Sequence, residues 1–235
     1  MLRSRLLTVL VAMVVAPVLA SPVWAEFEEG VHYQRLPVAV DTRNPQKVEV
    51  IEVFSYACIH CRNFQREIEQ WHAAAPDHVD FHRMPATFNE QWAALAQAFY
   101  TAEALGVTDK VHAAIFSAIH DRGKNVVDPA LMAEVFEQSA GVSSEQFNQV
   151  YRSFSVRGRV QQADARGRAY RLTGTPSMIV DGMYRVDARM AGNASMTEVV
   201  DYLVAERRAA AAAAAAGDAA DGAARLAGAS LAGAR

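Results

Sequence analysis

Cys58 and Cys61 are the only cysteines in this chain of 235 residues, and they stand at Cys-x-x-Cys spacing. Two thiols so placed can close into a disulfide and open it again when an incoming thiolate attacks. His60 lies between them, where an imidazole can favour a thiolate, although it could equally be an ordinary exposed residue. Three other chemistries compete. A structural zinc site needs four ligands, and no second cysteine pair or close histidine pair supplies the rest. A structural disulfide closing so short a loop would contribute only about 2 kcal/mol on the chain-entropy model. Two inert buried thiols fit poorly in an exported chain, where free cysteines oxidise. Redox exchange is the reading that remains.

The elements around the pair support it. Val48–Phe54 is a β-type run, and Cys61, Phe64, Ile68 and Trp71 recur at steps of three and four, the apolar face of a helix. The pair therefore sits where a strand turns into a helix. Cys61 falls on the inward stripe. Cys58 precedes the first turn, near unpaired backbone N–H groups and the positive end of the helix dipole. That placement predicts a thiolate on Cys58 and a shielded, resolving Cys61. Glu49 and Glu52 fall on opposite faces of the strand by alternation. One of them must then point away from any solvated face, unless the position is frayed or at an edge.

Downstream, 79–84 reads as a second strand, giving a βαβ unit with a parallel pair. From Glu90 to about Phe154 the periodicity is helical. Asp128-Pro129 is expected to open one of these helices and Gly141 to stop it, and Ser143 or Ser144 opens the next. A long polar helix over 156–172 leads to Thr173-Gly174-Thr175-Pro176 and a strand at 177–180. Asp181-Gly182 is a hairpin signal with 183–186 as the partner strand, and 197–207 closes as an amphipathic helix. After Arg208 the chain is rich in Ala and Gly. Its alanine run at 209–216 can extend the last helix, and beyond Gly217 a disordered tail is expected.

Glu52-Val53-Phe54-Ser55-Tyr56-Ala57-Cys58-Ile59-His60-Cys61, with Gly174-Thr175-Pro176 and the strand after it, resembles the DsbA family of the thioredoxin superfamily. The resemblance runs from about Glu26 to about Arg208. It implies an α/β, thioredoxin-like fold, a central mixed sheet flanked by helices, with an inserted helical domain. The thioredoxin-like part would comprise 26–84 and 156–208, and the insertion 85–155. It implies that Pro176 is a cis-proline facing the cysteines, with the Thr175 backbone exposed for pairing with a substrate chain. Glu52 would be the buried acid that shuttles a proton to Cys61, with Arg83 as a candidate to balance its charge. The implied activity is protein dithiol oxidation with no cofactor beyond the Cys58–Cys61 disulfide. The implied partners are unfolded or newly exported proteins and a membrane quinone-linked reoxidase of the DsbB type, the chain itself being a monomer. One residue departs from the pattern: Ile59 stands where the family has proline, which leaves the class intact and the redox potential open.

The N-terminus fits export. Arg3 and Arg5 precede an apolar run at 6–16, and Val23-Trp24-Ala25 suits cleavage before Glu26, with Ala20 as an alternative site. The expected signal is therefore 1–25 and the expected compartment a bacterial periplasm. Net charge is −3 and there is no basic patch, so nucleic-acid binding has no support. A disulfide isomerase or reductase of the same fold is the enzymatic alternative, although the sequence ahead of the redox strand leaves no room for the extra domain of the dimeric isomerases. A secreted binding protein with a structural disulfide is the non-enzymatic one.

Overall fold

The structure is a computed structural model that describes residues 27–232; the expected signal segment, 1–25, lies outside them. One sheet organises the fold, with strand order β1-β5-β4-β2-β3. Strand β2 (Val48–Phe54) runs into helix α1 (Ile59–Ala74), which crosses back to β3 (Val79–Pro85). The expected βαβ unit is present: β2 and β3 pair in parallel, with Glu52 opposite Arg83. Strand β4 (Ser177–Val180) lies antiparallel on the other side of β2, with Val53 opposite Ser177, and pairs in turn with β5 (Tyr184–Asp187).

The β4–β5 hairpin turns at Asp181 and Gly182, whose φ values are +53° and +60°. Two successive left-handed residues match the twist of the strands, as in a type I′ turn. Glycine is needed at 182 for a second reason. A Cβ there would lie 1.9 Å from the Val40 carbonyl oxygen, whose own residue donates its N–H to the Gly182 carbonyl at 2.9 Å.

Every residue of β2 is buried, because helices cover both faces of the sheet. On one face α1 and helix α7 (Met196–Ala232) pack Ile68, Val199 and Leu203 onto Val50, Met178 and Val180. On the other, Ile51, Val53 and Ile179 meet a helical layer. That layer comprises α2 (Glu90–Ala104), α3 (Thr108–His120), α4 (Pro129–Ala140), α5 (Ser144–Tyr151) and α6 (Phe154–Ala169). The chain thus carries the thioredoxin-like fold with a helical insertion. Its helices begin where the caps predict. Asp128 caps α4 with Pro129 at its first position, Gly141 ends it at φ +70°, and Ser143 forms a capping box with Gln146. Helix α6, read from sequence as part of the thioredoxin-like unit, packs against α2.

Ahead of β2, where no strand was assigned from sequence, Gln34–Arg35 form β1 against β5. One expectation fails. The tail expected to be disordered beyond Gly217 instead continues α7 to Ala232. Alanine has the highest intrinsic helix propensity, and a helix already nucleated on the core propagates through it at little cost.

Candidate active site

Ser55 begins the turn that carries the chain from β2 into α1. Its carbonyl accepts the Cys58 N–H at 3.0 Å and its hydroxyl the Ala57 N–H at 3.2 Å. Cys58 is the N-cap of α1, in extended backbone with φ −92° and ψ 114°, and its sulfur accepts the Cys61 N–H at 3.3 Å. That position is usually held by a side-chain oxygen; here a nucleophilic sulfur takes it. Cys61 is fully buried and Cys58 half-buried, so only one sulfur is open to a partner.

Across from them the Thr175–Pro176 peptide bond is cis. The Cys58 sulfur lies 3.5 Å from the Thr175 carbonyl oxygen. The surroundings push the two thiols apart. Cys58 falls to about 5, chiefly because the Cys61 thiol donates to it, against an opposing effect of burial; the Thr175 hydroxyl and the N–H groups of Cys61 and His60 assist. Cys61 is raised, first by burial and then by its bond to Cys58. Only Cys58 is a thiolate at neutral pH.

A measurable pH dependence follows. A lowered pKa in the folded state adds stability that is complete above the unfolded thiol's value and is lost as pH falls through the folded one. The stability of the dithiol form over that of a Cys58→Ala variant should therefore be largest near pH 9 and fade toward pH 5. Denaturant titrations of both proteins under reducing conditions check this, and a flat difference would contradict it.

The strand that leads to the pair carries a buried acid. Glu52, fully buried on the α1 face of β2, accepts from Arg83 Nε at 2.7 Å and from Gln65 Nε2 at 3.3 Å. Gln65 is one turn beyond Cys61 on the buried side of α1. Burial raises the Glu52 pKa, and the charge and hydrogen bond of Arg83 only partly oppose it. The Arg83 pairing suggested by neighbouring strands is present. Gln65 was not foreseen, and its signal was a polar residue four positions after Cys61 on an inward stripe. Glu49 is buried on the opposite face, since β2 is central and neither of its faces is solvated.

Tyr56 ties the site to the helical layer. Its hydroxyl is 2.8 Å from His112 Nδ1, and its carbonyl is 2.8 Å from His120 Nε2. Burial, followed by the charge of Arg83, lowers the His112 pKa to about 3, so the ring is neutral. Neither histidine was singled out by sequence, because each sits on a helix among apolar neighbours with no motif to mark it.

The structure brings Cys58, Cys61 and the Thr175–Pro176 segment together, and Glu52, on the strand leading to them, bonds to Gln65 one turn beyond Cys61. His60 gives the Cys58 sulfur its backbone N–H, while its side chain is exposed. The ring lines a groove of about 730 Å³ with Phe64, Thr175, Pro176, Asp187 and Met196. Among the described residues, Glu49, Asp80 and His82 form the one group with donor atoms within 4.8 Å of one another. Arg43 already spans both Asp80 oxygens, at 2.5 and 2.6 Å, and donates its N–H to Glu49 at 3.0 Å. Its guanidinium supplies the positive charge that a cation would bring.

A buried and an open thiol at a helix N-terminus, facing a cis-proline on a thioredoxin-like sheet, define a thiol:disulfide oxidoreductase. The sequence profile described as the DSBA-like thioredoxin domain matches residues 78–204. The thiol:disulfide interchange protein DsbA of Azotobacter vinelandii is 41% identical over 187 residues, which span 79% of this chain and 87% of that one. DsbA of Pseudomonas aeruginosa strain PAO1 is 37% identical over 211 residues, spanning 89% and 99%. The crystal structure of Pseudomonas aeruginosa DsbA superposes with a TM-score of 0.74 at 38% identity, over 79% of this chain and 96% of that chain. The chain belongs to the DsbA family of thiol:disulfide oxidoreductases.

Ile59 stands where the resemblance implies a proline, and its place in the helix shows what proline would do there. Ile59 is the first helical position, where proline's missing N–H and fixed φ are tolerated. It is 49% exposed, so little packing would be lost. The residue before a proline must be extended, and Cys58 already is. Ile59→Pro should keep stability within about 1 kcal/mol while shifting the redox potential by about 30 mV or more. Equilibration with glutathione measures the shift, and an unchanged potential would show that this position does not tune the pair.

Proposed function

We propose that the chain oxidises dithiols of newly exported, unfolded proteins in the periplasm, acting as a monomer with the Cys58–Cys61 disulfide as its only redox group. A substrate thiolate attacks Cys58 Sγ, the bond to Cys61 breaks, and Cys61 leaves as a thiolate that takes a proton. A second substrate thiolate then attacks the substrate sulfur of the mixed disulfide and expels Cys58. Two electrons pass to the pair, the substrate gains a disulfide, and Cys58 departs as a stabilised thiolate.

The observation that carries this reading is the opposed pKa shift of the two sulfurs. Stabilising the dithiol makes its disulfide a stronger oxidant, a relation for which DsbA is itself the standard illustration. Glu52 acts as the proton source for Cys61. The Thr175 backbone pairs with the substrate chain, and the groove beside Pro176 takes its side chains. A membrane quinone-linked enzyme of the DsbB type, approaching by the same open sulfur, restores the disulfide.

The equilibrium of the pair with glutathione tests the direction of the reaction. An oxidase should hold its dithiol form at glutathione ratios where a thioredoxin-like reductase is a disulfide, and a reducing potential would overturn the proposal.

A further inference from the structure

The loop that carries Thr175 and Pro176 joins the end of α6 to β4, and both of its ends are held by two charged side chains of β5. Arg185 is 6% exposed. Its Nη1 donates to the Tyr170 carbonyl at 3.3 Å and also to the Arg171 carbonyl. These carbonyls close α6, where Tyr170 is the C-cap and the dipole favours a cation. Arg185 Nη2 donates to Gln34 Oε1 on β1 at 2.6 Å, and Nε to Asp187 Oδ2 at 3.1 Å. The other Asp187 oxygen accepts from the Ser177 hydroxyl at 2.8 Å, in the residue directly after the cis-proline. The Ser177 hydroxyl also lies 2.9 Å from the Gly174 carbonyl. It has one proton, and the charged acceptor makes the stronger bond.

We propose that Arg185 and Asp187 are positioning residues for substrate capture. Together they clamp residues 170–177 at both ends and so fix where the Thr175 backbone meets an incoming chain. Two features separate this from ordinary core packing. One arm of the Arg185 fork, Nη1, is given to two main-chain carbonyls, which sets backbone position rather than filling space. Asp187 is the hinge of the arrangement, because one carboxylate joins the guanidinium before the loop to the hydroxyl after it. Asp187 also lines the groove beside Pro176, so the clamp borders the surface that a substrate would cover. The two strand residues opposite each other in the ladder, Ser177 and Asp187, keep this link in register.

The inference rests on the reading of Thr175–Pro176 as the substrate-pairing segment, and the test separates the two. Asp187→Asn keeps the shape and removes the charge, Arg185→Met removes the fork, and Pro176→Ala disturbs the loop directly. Each variant is assayed for KM and kcat with a dithiol peptide, and for its exchange rate with glutathione, which is too small to need the loop. Thermal unfolding is recorded alongside.

A hydrogen bond to a charged group is worth enough that Asp187→Asn should raise the peptide KM about tenfold. Its glutathione rate should fall far less, by no more than about threefold, because the Cys61 thiol and the N–H groups of His60 and Cys61 that hold the Cys58 thiolate belong to α1 and only the Thr175 contact lies on the loop. Arg185→Met should behave alike, and the double variant should cost little more than either single one, since the residues act as a unit. A merely structural role would lower the unfolding temperature and leave KM alone. If Arg185→Met fails to fold, the isosteric Asp187→Asn decides. An unchanged KM in Asp187→Asn with a raised KM in Pro176→Ala would overturn the clamp. An unchanged KM in Pro176→Ala would overturn the substrate reading beneath it, and the clamp with it.

Discussion

A Cys61→Ala variant should accumulate mixed disulfides with its substrates, and a Cys58→Ala variant should form none. The asymmetry follows from access and charge together. Cys58 is half-buried and ionised at neutral pH, whereas Cys61 is fully buried and held as a thiol. Once Cys58 is joined to a substrate sulfur, Cys61 releases it in the reductive direction; without Cys61 only the substrate's own second thiolate can do so, and the complex accumulates. Loss of Cys58 should reduce peptide oxidation by at least about a thousandfold, because the remaining thiol is both unreactive and unreachable. Non-reducing gels of the two variants, incubated with a disulfide-containing or dithiol peptide in the matching redox state, provide the measurement. Equal trapping by both would mean that the buried sulfur reaches solvent.

Glu52→Gln should stabilise the protein at neutral pH and slow its disulfide exchange. The sign follows from the raised carboxylate pKa. A carboxyl whose folded pKa exceeds its unfolded one costs stability when it ionises. The cost is absent below the unfolded value and complete once pH has risen through the folded one. Glutamine removes it while keeping an oxygen for Arg83 Nε, and Arg83, 16% exposed, retains contact with water. A gain of about 1 kcal/mol would raise the unfolding temperature by about 2–4 °C, and the gain should vanish near pH 4. Losing the proton source should slow exchange about tenfold to a hundredfold. Thermal scans across pH and peptide-oxidation rates on one preparation test both halves. A destabilised variant with its full rate would make Glu52 a structural partner of Arg83 and nothing more.

The parts of the molecule that were legible in the sequence are those in which local pattern and tertiary role coincide. Cys58 lies before an amphipathic helix because the period starts at Cys61, and Asp181-Gly182 makes a hairpin because few dipeptides adopt two positive φ values so readily. Asp128-Pro129 and Ser143 announce their helices through capping chemistry alone. What escaped is defined by partners distant in the chain. Strand β1 is two exposed residues with no alternation to detect, and it exists by pairing with β5 and by the Gln34–Arg185 bond. Gln65 reads as a flaw in an apolar stripe until Glu52 is placed opposite it. Arg185 and Asp187 look like a polar edge until the end of α6 arrives beside them. Beyond Gly217 the tail differs for another reason: its Gly-Asp and Asp-Gly breaks suggest irregular chain, whereas the helix that the alanine run extends, as its propensity predicts, continues to Ala232.

The place of β4 between β5 and β2 has a consequence for the order in which the enzyme becomes competent. Cys58 and the Thr175 carbonyl it meets are 117 positions apart in the chain. The βαβ unit with both cysteines is local and can assemble early, but the strand that completes the site must first close a loop containing the whole helical insertion. Contacts of such long separation form late and slowly. In a chain threaded amino-end first across a membrane, as the proposed export requires, both thiols therefore emerge before the cis-proline segment exists to face them. Through that interval the chain is a candidate substrate for its own finished copies. It becomes an oxidase only when its last quarter has docked.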